Sequence, residues 1–81
     1  MPVVFRHGGC SYFFFSNEGD PREPVHIHVR HGEKLAKFWV EPTVELADAY
    51  GFSGKELNRI SKVVQKNAAL IVEQWHEHFG D

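Results

Sequence analysis

The sequence predicts an α+β fold: a small antiparallel sheet of three to five strands followed by one long C-terminal helix. Two observations carry that expectation. Residues 25–30 and 35–40 alternate apolar and polar with the period of two that marks half-buried strands. Leu57, Ile60, Val64, Ala68, Ile71, Trp75 and Phe79 recur at helical spacing.

Each element has a local reason. Val3 to Arg6 is a short apolar run, and "HGG" after it is a turn signal. Ser11 to Ser16, "SYFFFS", is rich in aromatic strand formers, so the two runs predict a hairpin. Tyr12 and Phe14 fall on one face and Phe13 and Phe15 on the other, which places this strand inside the sheet. "NEGDPREP" reads as a polar loop.

In the next strand Val25, Ile27 and Val29 share one face, and His26, His28 and Arg30 share the other. "HGE" turns the chain. Ala36, Phe38 and Val40 then oppose Lys37 and Trp39, with Glu41 continuing the polar side. The second hairpin therefore gathers His26, His28, Arg30, Lys37, Trp39 and Glu41. Pro42 ends it, and Val44 to Ala47 is one further short extended segment.

Ser53 with Glu56 three residues on is the capping-box pattern for a helix start. Gly80 supplies the stop. A helix from there to Phe79 spans roughly 40 Å, wider than a domain of this size. It must break or project towards a partner.

With 81 residues the chain is expected to be one domain, 1–81, of thin stability margin that a homodimer would widen. The single cysteine, Cys10, excludes an internal disulfide and a cysteine-based zinc site. The N-terminal apolar runs are too short for a signal peptide, and none approaches a membrane span. A cytoplasmic protein without membrane partners is the expectation. Net charge is −2, so nucleic-acid contact would need a local basic patch.

The His-Ile-His pair is the leading candidate site. Spacing of two on a strand puts both imidazoles on one face. Used as an acid/base pair, His26 and His28 with Arg30 suit metal-free RNA cleavage. That chemistry needs a base for the 2′-hydroxyl, an acid for the leaving oxygen and a cation for the phosphorane. Lys37 would hold phosphate and Trp39 would stack a base. No cofactor is required. The alternative is a divalent metal on His26 and His28 with Asp20, Glu18 or Glu41 as third ligand, though none stands at a diagnostic spacing. The bland alternative is two histidines on an ordinary polar sheet face. Against it, the row His26, His28, Arg30 contains no Ser or Thr filler.

Three lesser features remain. Lys55, Arg59, Lys62 and Lys66 form a stripe opposite the helix's apolar face. A solvated face is the simplest account, but like charges at i, i+4 and cations in the first turns oppose helix stability, which leaves RNA or an acidic partner open. His76 and His78 lack the spacing of four that a helical zinc pair needs. His78 is expected at the core edge and His76 on the surface. Cys10 and Ser11 lack a nucleophile's context.

"YFFFSNEGDP", "PVHIHVRHGEKLAKFWVEP", "ELADAYGFSGKEL" and a helix ending in "WHEHF" together resemble a small bacterial family, domain of unknown function number 4160. It carries a Pro-x-His-x-His signature, and members have been called dihistidine toxins. The likeness covers nearly the whole chain, although Val25 here separates Pro24 from His26 where many members have two prolines. The resemblance implies the toxin of a type II toxin–antitoxin system, with His26 and His28 required for toxicity. It also implies an antitoxin protein from a neighbouring gene. A ribonuclease-type toxin is thus the first expectation. A metal-binding protein and a non-catalytic interaction module are the alternatives.

Overall fold

The computed structural model describes residues 3–15 and 23–80. Five strands come first: β1 (Val3–His7), β2 (Cys10–Phe13), β3 (His26–His31), β4 (Lys34–Trp39) and β5 (Glu45–Tyr50). Two helices follow, α1 (Gly54–Lys66) and α2 (Ala68–Phe79). All four strand pairs are antiparallel, in the order β1-β2-β3-β4-β5. The β1–β2 turn uses Gly8 and Gly9, both at positive φ (57° and 82°), the twist that two-residue hairpins favour.

One face of the sheet is the core. Tyr12, Val25, Ile27, Val29, Ala36, Phe38 and Val40 pack there against Ile60 and Val64 of α1 and Ile71 and Trp75 of α2. Burial pushes the Tyr12 phenol up to about 12, so it stays neutral in the core. The aromatic strand lies inside the sheet as expected, but β2 ends at Phe13: Phe14 and Phe15 continue past it, and Ser16 lies outside the described residues.

Two expectations need correction. The single long C-terminal helix is two helices. A continuous helix over 54–79 would run about 39 Å, beyond the molecule's longest extent of 34 Å. The break falls at Asn67, with φ −108° and ψ 15°. Its side-chain amide donates to the Val63 carbonyl at 2.8 Å, an acceptor it shares with its own backbone N–H at 3.1 Å, the kind of local side-chain bond that competes with a continuing helix. Both halves can then lay their apolar faces on the sheet. The last strand also runs further than Val44–Ala47. It spans Glu45–Tyr50, with a bulge in its pairing between Lys37 and Phe38.

The helix start and stop fall where the caps put them. Ser53 accepts from the Glu56 amide and Glu56 from the Ser53 amide, a complete capping box. Gly80 takes the left-handed conformation at φ 76°. The Glu56 carboxylate also accepts from Lys34 Nζ at 2.8 Å, tying α1 to β4. No helix among the described residues is long and apolar enough to cross a membrane.

Candidate functional site: the histidine row on the open sheet face

The face of the sheet opposite Ile27 and Val29 carries the histidine row; Trp75 of α2 covers its His26 end, and the His28 end is open. Register sets it directly: His26 lies opposite Trp39, His28 opposite Lys37 and Arg30 opposite Leu35. On the other flank Phe13 lies opposite His28. Lys37 in turn faces Asp48 of β5. His31 falls on the helix side, as alternation requires.

The two histidines differ. Their ring centroids are 5.4 Å apart and nearly perpendicular. His26 is wholly buried, between Trp39 (5.4 Å) and Trp75 of α2 (4.9 Å). Its Nδ1 lies 2.9 Å from the Pro24 carbonyl. A carbonyl only accepts, so Nδ1 carries a proton, and in the neutral ring the lone pair sits on Nε2. His28 is 7% exposed. It stands in an aromatic surround, with Phe15 at 4.4 Å and Phe13 at 5.6 Å.

His28 opens onto a shallow cavity of about 130 Å³, shared with Phe15, Leu35, Lys37, Asp48 and Tyr50. Enclosed small-molecule pockets run to roughly 300–1,000 Å³. This opening therefore suits one group of a larger ligand lying over the sheet. Lys37 Nζ is the cation at its edge. It lies 3.6 Å from Glu23 Oε1 and 4.4 Å from the centroid of Trp39. Trp39 is thus half-buried beneath Lys37, a position that does not offer its face to a base. Arg30 is exposed and leans over Phe13 at 5.5 Å.

Of the metal-ligand set, Glu18 and Asp20 lie outside the described residues, and Glu41 is exposed past the end of β4. Among the described residues no three His, Cys, Asp or Glu side chains form a group that could hold a metal ion. Cys10 is buried. That burial, then the Glu56 carboxylate, raises its thiol, the form that is neither nucleophile nor ligand. His76 is exposed. His78 is exposed too, with its ring 4.6 Å from Phe79 and 6.3 Å from Phe14, rather than tucked at the core edge.

Sequence reasoning missed Asp48, Tyr50, Phe15 and Leu35 as neighbours of His28. Extending the alternation "ELADAY" to Tyr50 would have put Asp48 and Tyr50 on one face of a strand. The bulge that aligns them with Lys37 and Leu35 leaves no sequence signal.

A five-stranded antiparallel meander, backed by two helices and carrying a histidine row on its open face, is the class of protein defined here. A family model described as "Domain of unknown function (DUF4160)" matches residues 9–76. The chain belongs to this family. No curated protein and no solved structure gives a significant match.

Proposed function

We propose that the chain is the toxin of a bacterial toxin–antitoxin pair, acting in the cytoplasm on RNA by histidine acid/base catalysis without a cofactor. One observation carries this reading. His28 meets a cation, Lys37, and an acid, Asp48, across a cavity on an otherwise aromatic sheet face, with a second imidazole 5.4 Å behind it.

The reaction is transesterification. A base removes the 2′-hydroxyl proton, and the oxygen attacks the adjacent phosphorus. The P–O5′ bond breaks, and an acid protonates the departing 5′ oxygen. The products are a 2′,3′-cyclic phosphate and a 5′-hydroxyl. His28 is the imidazole that reaches substrate: as base it takes the 2′-hydroxyl proton, and as the resulting imidazolium it returns that proton to the departing 5′ oxygen. Lys37 offsets charge on the phosphorane. His26 is buried behind it, oriented by Pro24, and acts through His28 as a positioning residue. Arg30 and Trp39 are secondary, since Arg30 lies off the cavity and Trp39 lies under Lys37.

The test is inducible expression of the chain with and without its gene neighbour. The chain alone is expected to arrest growth. His28→Gln, at equal abundance and with an unchanged circular-dichroism melt, is expected to restore it. Full toxicity in folded His28→Gln would sink the assignment.

A second reading has its own observation. Every residue of β5 is exposed, including Leu46 (48%) and Tyr50 (73%), on an edge strand. Edge strands pair with other chains. On that reading the chain is an interaction module, whether its partner is an antitoxin or a second copy. His28→Gln would then leave partner capture intact, with no activity to lose.

A further inference from the structure

The geometry points to a second site, on the helix side of the sheet: a cationic groove along α1 that takes the phosphodiester backbone of a single-stranded nucleic acid. Two cavities lie end to end there. One, of about 410 Å³, is bounded by His7, His31 and Phe52 with Glu56 and Arg59 of α1. The other, of about 370 Å³, is bounded by His7 with Lys62, Lys66 and Asn67. His7, at the end of β1, is common to both. The groove therefore runs between the β1–β2 turn and the flank of α1.

Its charge is positive and uncommitted. Arg59, Lys62 and Lys66 are exposed, and among the described residues none of them makes an ion pair. The groove's acid, Glu56, is taken by Lys34 and by the Ser53 amide. His7 and His31 add neutral or cationic donors. This concentration of cation stands against a net charge of −2 for the whole chain.

Spacing decides the kind of anion. Arg59 and Lys66 are seven residues apart, about 10 Å along a helix. A single phosphate cannot touch both, so the arrangement fits a repeating array of anions. Composition decides between nucleic acid and an acidic protein. Protein interfaces take their energy from buried apolar and aromatic anchors. Phe52 is the aromatic on the groove's wall, and it is partly buried with Lys34 Nζ over its ring at 5.8 Å; the large exposed apolar side chains among the described residues, Val3, Leu46, Tyr50 and Leu70, do not line the groove. Backbone binding of a nucleic acid needs no such anchor, because counterion release supplies the affinity.

This site does not depend on the catalytic reading, and the test separates the two. A labelled twelve-nucleotide oligouridylate is titrated with the full chain by fluorescence anisotropy from 25 to 200 mM salt. Three phosphate contacts predict a slope of log K against log salt near −2, at about −0.7 per contact. Arg59→Ala, Lys62→Ala and Lys66→Ala should each flatten the slope by about 0.7, and the three together should weaken binding more than tenfold. Lys55→Ala, on the same helix but lining neither cavity, should bind as the parent does. If the triple variant fails to fold, the single-variant slopes decide. Single variants with the parent's slope, no binding at 25 mM salt, or tighter binding of a twelve-residue oligoglutamate would overturn the proposal.

Discussion

His26 and His28 sit two residues apart on one strand, yet their surroundings divide the work. His28 faces a cavity. His26 is enclosed by Trp39, Trp75 and its own partner ring, and donates to the Pro24 carbonyl. Replacing His26 by alanine removes a buried ring and strips a carbonyl of its donor. The two effects together cost about 2–4 kcal/mol. His28→Ala should cost less, because its ring borders open space. Urea denaturation of the two variants measures the difference, and equal losses would mean that His26 is not the structural member of the pair. Loss of toxicity in His26→Ala therefore says little by itself, and His28→Gln is the informative variant.

At the scale of elements, the Lys34–Glu56 pair joins the sheet to the helices. The hydrogen bond from Lys34, then that from the Ser53 amide, holds the Glu56 carboxyl down to about 2. A carboxyl depressed in the folded state stabilises the fold fully above its unfolded pKa, near 4.3. That contribution is lost as pH falls from there towards 2. Glu56→Gln should therefore melt below the parent at pH 7 and converge with it near pH 2. A gap of the same size at both pH values would show that the ion pair is not its source.

The elements also show what a sequence reveals. Alternation in β3 and β4 placed His26, His28, Arg30, Lys37 and Trp39 on one face, because a half-buried strand has only two faces to choose between. The capping box and Gly80 located both outer ends of the helical segment, because caps are local chemistry. Asn67 was invisible as a break. Asparagine is an ordinary helix residue in propensity, and what makes it a break is the size of the sheet on which both halves must lie. Burial of His26 was hidden for a related reason: it is made by Trp75, almost fifty residues away. Asp48 and Tyr50 reach His28 only through a bulge.

For the whole molecule, the two faces of one small sheet carry different chemistry. The open face holds an imidazole, a cation and an acid around a cavity too small for a whole ligand. The helix side holds a cationic groove about 10 Å long. A polymer lying over the first and tracked by the second suits both. The central claim is the metal-free acid/base chemistry at His28, and the ends it leaves on RNA test it most directly. Purified protein incubated with RNA in excess EDTA should produce fragments ending in 2′,3′-cyclic phosphate and 5′-hydroxyl, and His28→Gln should produce none. Cleavage that stops in EDTA, or that leaves 3′-hydroxyl and 5′-phosphate ends, would contradict it.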